Sequence, residues 1–203
     1  MSFFSEPKNA GLAFMIIGLI TIIGGIITVI LGAMGYELDT GGDEPIKFAI
    51  GTAIAAVGSI IYGCMQFGYG KKVRGGVVSA KIDILAAFVK LVGVGTIVTG
   101  VFSAIGSIVD GGELGTGLVS AIISIIIGLI IIWIGTKIND GKQTIADKII
   151  WVILLIAFIL CLIAAVLEII TIIGIITGIC DLIIYVFMLI LLFDSEVKSE
   201  MGM

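Results

Sequence analysis

The sequence predicts an all-α integral membrane protein: a bundle of six transmembrane helices in three tandem helical hairpins, with both termini on the inner side. Three observations predict it. The 203 residues are 60% hydrophobic and only 13% charged, with a mean hydropathy of +1.32. A soluble domain needs more polar residues than this to cover its own surface. The apolar residues fall into long runs separated by short polar loops. The positive residues sit in alternate loops.

A bilayer core about 30 Å thick takes a helix of about 20 apolar residues. The first run is Gly11–Gly35, followed by the acidic loop YELDTGGDEP. The second is Ile46–Gly70, closed by Lys71, Lys72 and Arg74. The third lies within Ile82–Val109 and ends at Asp110-Gly-Gly-Glu113. The fourth is Thr116–Ile138, followed by NDGKQTIADK. Ile149–Phe193 carries only Glu168 and Asp181 as charges and is long enough for two spans, with a turn inside Thr171–Gly178. The chain thus reads as one transmembrane domain, 1–203, with helices near 11–35, 46–70, 86–109, 116–138, 149–170 and 176–193. Residues 194–203 form a polar inner tail. Gly11–Gly35 is too long for a signal-peptide core of about 7–15 residues and has no cleavage pattern after it. Pro7 and Pro45 flank spans, so broken transporter helices find no support.

Orientation follows from lysine and arginine in short loops. With the N-terminus inside, the inner segments hold Lys8, Lys71, Lys72, Arg74, Lys81, Lys137, Lys142, Lys148 and Lys198. That is nine of the 11 positive residues. The outer loops hold Lys47 and most of the loop acids. Lys90 is the remaining case. The expected location is the plasma or inner membrane of a prokaryote, multi-pass.

The helix pairs look repeated. Gly18–Gly25 falls on Gly93–Gly100, and the outer loops DTGGDE and DGGE resemble each other. Gly63, Gly70 and Lys72 fall on Gly128, Gly135 and Lys137. Small residues recur every seven positions. Gly11, Gly18, Gly25 and Gly32 lie in the first helix, and Ala86, Gly93, Gly100 and Ser107 in the third. The second has two such pairs, Gly51 and Gly58, then Gly63 and Gly70, and the fourth has Ala121, Gly128 and Gly135. A seven-residue period keeps one stripe facing a partner helix. In lipid, small residues let backbones approach and gain dispersion contacts. Gly11, Gly18, Gly25, Gly32, Gly93, Gly100, Gly128 and Gly135 are therefore the candidate packing residues. Gly174-x-x-x-Gly178 lies at the last turn and is a weak dimer motif.

Ionisable residues inside a membrane are candidates for function. Lys90 lies about a turn inside the third span, where it can snorkel to the headgroups or line an ion path. Asp83, seven residues earlier, is interfacial. Glu168 and Asp181 flank the last turn. They cap a hairpin at the interface or, facing inward with Thr171 and Thr177, form a proton or cation site. The acidic loops lack the ordered spacing of a calcium loop. With no histidine, no C-x-x-C among Cys64, Cys161 and Cys180, and no phosphate, nucleotide or hydrolase motif, neither catalytic residue, cofactor nor metal is expected. No basic surface points to nucleic acid. The partners implied are the lipid bilayer and a second copy or another membrane protein.

The stretches GLITIIGGIITVILG (18–32), SIIYGCMQFGYGKKVRGG (59–76) and SIIIGLIIIWIGTKINDGK (124–142) carry a resemblance. A helix with glycines seven apart, an outer turn, then a helix ending in glycine and lysine before a basic linker, resembles the HdeD-like small membrane proteins. The resemblance implies a six-helix membrane protein, of a family in which some members are linked to acid or stress tolerance and no catalytic residues are established. The long acidic outer loops depart from that pattern, as does the lack of a proline after the first helix of each pair. The function expected is non-enzymatic: a structural or stress-tolerance role exerted through helix packing or partner proteins. A second reading is a small channel or transporter using Lys90, Glu168 and Asp181. A third is an accessory subunit of a larger membrane complex.

Overall fold

In a computed structural model of the chain, residues 3–38, 46–170 and 175–203 are described. Helices α1 (Pro7–Met34), α2 (Ile50–Arg74), α3 (Lys81–Val109), α4 (Leu114–Lys137), α5 (Ile145–Ile170) and α6 (Ile175–Phe193) are each long and apolar enough to cross a membrane. A single turn of 3-10 helix (Phe3–Ser5) precedes them and a short α7 (Ser195–Glu200) follows. Backbone groups have no water to bond with in hydrocarbon, and continuous helices satisfy them internally. The turn expected within Thr171–Gly178 includes residues 171–174, which lie outside the described residues, as do Asp39, Asp43 and Glu44 of the first acidic loop.

The helix ends differ from the apolar runs, because turn, strand and capping residues place them. α1 begins at Pro7, whose fixed φ suits the first helical position. It ends at Gly35, where φ is +62° and the Tyr36 N–H reaches the Leu31 carbonyl at 3.0 Å. Only glycine adopts that conformation readily. α2 starts four residues after its apolar run does, since Ile46–Lys47 forms a strand antiparallel to Glu37–Leu38. α3 starts at Lys81, directly after the short linker 75–80. α5 starts at Ile145 behind a capping arrangement. Asp147 Oδ2 accepts from the Thr144 backbone N–H at 2.6 Å and from its hydroxyl at 2.7 Å.

The chain forms two compact units. The first comprises residues 1–17, 66–91 and 131–203. Its interior is aromatic. Phe14 packs edge-on to Tyr69, and Phe88 sits among Phe14, Phe158 and Tyr185. The Tyr69 hydroxyl donates to the Ile84 carbonyl at 2.7 Å. Trp151 Nε1 donates to the Leu192 carbonyl at 2.9 Å, satisfying an acceptor in the last turn of α6. The polar tail folds back as α7. Asp194 caps it by accepting from the Glu196 N–H at 3.0 Å, and Val197 and Met201 are buried. Lys81 pairs with Asp194 at 2.8 Å and with Glu196 at 3.6 Å. Lys198 lies over the rings of Trp151 and Phe193.

The second unit comprises residues 18–65 and 92–130. Its buried side chains are small, including Ala53, Ala56 and Ala104. Backbones approach closely here. A Cβ on Gly63 would fall 2.8 Å from the Gly18 carbonyl oxygen, and one on Gly32 2.7 Å from that of Ala49. The glycines of α2 divide between two neighbours. Gly63 faces α1, whereas Gly51 and Gly58 face Gly106 and Phe102 of α3. The five-residue step from Gly58 to Gly63 rotates the stripe by about 140° at 3.6 residues per turn, onto another face.

Candidate functional site

The predicted packing residues lie at helix contacts. In the first unit, a Cβ on Gly11 would meet the Arg74 N at 2.7 Å and the Gly70 carbonyl at 2.8 Å. Gly135 faces Lys90, whose Cγ would be 2.7 Å from an added Cβ. In the second unit, Gly18 lies against Gly63, Gly25 against Ile60 and Ala56, and Gly32 against Ala49 and Ala53. Gly93 offers its carbonyl at 2.6 Å to the space above Gly128, and Gly100 abuts Ser124. Gly174 lies outside the described residues. Gly178 packs against Ala165 and Ile169 within its own hairpin.

The outward faces are the opposite. On α4, Leu118, Val119, Ile122, Ile126, Ile130 and Trp133 are exposed while Gly117, Gly128 and Gly135 are buried. Large side chains outside and small ones inside invert the soluble pattern. An uninterrupted apolar face of this size in water is an aggregation liability. In lipid it is solvated.

The three charges expected inside the membrane do not line one described cavity. Lys90, half-buried, lines a cleft of about 330 Å³ with Val77, Val78, Ser79, Ala80, Asp83, Ala86, Ala87 and Asn139. Neither Glu168 nor Asp181 lines it. Among the described residues no ion pair involves Lys90. Glu168 and Asp181 are half-buried on α5 and α6, and Glu168 Oε1 accepts from the Thr177 hydroxyl at 2.6 Å. Thr171 lies outside the described residues.

Three polar features escape a reading of the sequence alone. Asp110, expected only as part of an acidic loop, caps α2 by accepting from the Gly51 N–H at 2.7 Å. Asp147 is 2% exposed, and its Oδ1 has no hydrogen-bond partner among the described residues. The Thr144-x-x-Asp147 spacing is the signal that could have found it. Asp83, expected at the interface, accepts from Asn139 Nδ2 at its Oδ1. In the linker between α4 and α5, Lys137 pairs with Asp140 at 2.6 Å. That hydrogen bond, then one from the Lys142 N–H, holds the Asp140 carboxyl below the usual carboxylate range. No group of three or more acidic or cysteine side chains able to hold a metal occurs among the described residues.

No protein-family model matches this chain, and neither a curated protein nor a solved structure does.

Proposed function

We propose that the protein is a non-enzymatic, multi-pass constituent of a plasma or inner membrane, built as three tandem hairpins with both termini inside. Its role is structural or stress-related, exerted through helix packing or through partner proteins in the bilayer. The observation that carries this reading is the inversion on α4, with Gly117, Gly128 and Gly135 inside and isoleucine, leucine and tryptophan outside. Small-residue contacts are how helices associate where lipid removes the hydrophobic drive. Nine positive residues in the inner segments support the orientation. The pairing of a glycine stripe with a basic linker, which resembles the HdeD-like pattern, supports the three-hairpin plan. Separation of Lys90 from Glu168 and Asp181 by the lining of its cleft weighs against a transport path.

The test is flux. Purified protein in liposomes should pass protons and alkali cations no faster than protein-free liposomes. A flux removed by Lys90→Gln, Glu168→Gln or Asp181→Asn would replace this reading with a channel or transporter.

A further inference from the structure

The cleft around Lys90 has a built order of charges. Asp83, Ala86, Ala87 and Lys90 are spaced i, i+3, i+4 and i+7, so all four share one face of α3. All four line the cleft. The acid stands two residues into α3, beside the linker. The cation stands two turns deeper, about 10 Å along the helix at 1.5 Å per residue. Alanine methyls floor the space between. Helical side chains lean toward their own N-terminus, so the Lys90 stem runs back toward Asp83. Its Cγ lies against Gly135, where any side chain would block it. Asn139 Nδ2 donates to Asp83 Oδ1, which holds the carboxylate against the lining of the cleft. Ser79 also lines the cleft.

A cleft lined by one cation and one anion, seven residues apart on one face of α3, is net neutral and polarised along that helix. A phosphate lies nearest the acyl chains and an amine farther out in one common class of headgroup. A volume of about 330 Å³ is at the low end for ligand sites and suits a headgroup, while the acyl chains stay in the bilayer.

We propose that this cleft binds the phosphoethanolamine headgroup of a phospholipid, with Lys90 on the phosphate and Asp83 on the primary ammonium. The site goes beyond the structural reading and needs only that α3 and α4 span the bilayer. The primary ammonium donates hydrogen bonds to Asp83. A quaternary choline cannot donate them. Charge-assisted hydrogen bonds are the stronger class, so the selectivity falls on the amine.

Native mass spectrometry of the full chain in detergent, titrated with dioleoyl phosphatidylethanolamine, phosphatidylcholine and phosphatidylglycerol, tests this. Wild type should retain the ethanolamine lipid about tenfold better than the choline lipid, as one charge-assisted hydrogen bond of about 1.4 kcal/mol would give. Asp83→Asn should bring the two lipids within about twofold of each other, and Lys90→Gln should weaken both. Should Lys90→Gln fail to fold, Lys90→Arg should keep the ethanolamine preference, and the Asp83→Asn comparison stands alone. Equal retention of both lipids by wild type would overturn the proposal. So would a preference untouched by Asp83→Asn, or phosphatidylglycerol binding best. Free phosphoethanolamine at equal concentration should not displace the lipid; displacement would move the site from a lipid to a soluble zwitterion and overturn it.

Discussion

The Gly51 N–H donates to Asp110 Oδ1 at 2.7 Å, so the last residue before the α3–α4 turn caps the first turn of α2. The capped amide would otherwise be one of four without an intrahelical acceptor. The approach depends on glycine at both contact points. A Cβ on Gly51 would overlap the Gly106 carbonyl oxygen and come 2.5 Å from the Asp110 carboxyl carbon. Asp110→Ala should cost about 0.5–2 kcal/mol, as lost caps do. Gly51→Ala should cost more, because the overlap is with backbone. Thermal unfolding in detergent checks the order; a Gly51→Ala protein as stable as Asp110→Ala would refute the close approach.

Gly25 makes a second test of packing. A Cβ there would fall 2.5 Å from Ile60 Cγ1 and 3.2 Å from the Ala56 carbonyl oxygen. Gly25→Leu should destabilise by about 1–3 kcal/mol, the usual cost of overpacking. Ile60→Ala should recover part of that loss, since it removes the nearest clash. Ile23→Leu, on the exposed side of the same helix, is the control and should be near neutral.

How far the fold was legible follows from these residues. The six spans are visible because lipid demands apolar length, and length is a property of the sequence. The glycine stripe is visible as a period of seven. Its turn onto α3 at Gly58 is written in the five-residue gap before Gly63, yet which helix receives each face depends on the tertiary arrangement. The Asp110 cap joins residues 59 apart, a distance no local pattern spans. The folded tail has a local signal, Asp194 before Ser195 with apolar residues at Val197 and Met201. Its charged composition outweighs that signal when composition alone is read. Lys90 is placed by pattern, but its cleft with Asp83 and Asn139 needs α4 beside α3.

Tyr69 donates to the Ile84 carbonyl across α2 and α3 at 2.7 Å. That carbonyl also serves its own helix, so losing the hydroxyl does not strand it. Tyr69→Phe should therefore cost about 0.5–1.5 kcal/mol, the net value of one hydrogen bond. Denaturation midpoints measure it. A change above about 3 kcal/mol would mean the hydroxyl does more than this bond.

The docked tail should respond to acid. The hydrogen bond from Lys81 holds the Asp194 carboxyl below the usual carboxylate range, against the opposing effect of desolvation. A carboxylate with a lowered value in the folded state contributes stability above its unfolded value of about 4, and loses it as pH falls through the folded value. α7 should therefore stay docked at pH 7 and loosen below about pH 4. Release takes Lys198 off Trp151, so the fluorescence of a Trp133→Phe protein reports it. Lys81→Met should move the change to higher pH; a profile identical to that of the unmodified Lys81 protein would show that the pair does not hold the tail.

Six spans with the inner linkers on the cytoplasmic side are open to one direct test. A cysteine placed at Thr40 or at Ser79, in a background without Cys64, Cys161 and Cys180, measures this in intact cells with a membrane-impermeant thiol reagent. Thr40→Cys should label and Ser79→Cys should not until the membrane is opened. Labelling at Ser79→Cys with protection at Thr40→Cys would contradict the orientation, and labelling at both would contradict the spans themselves.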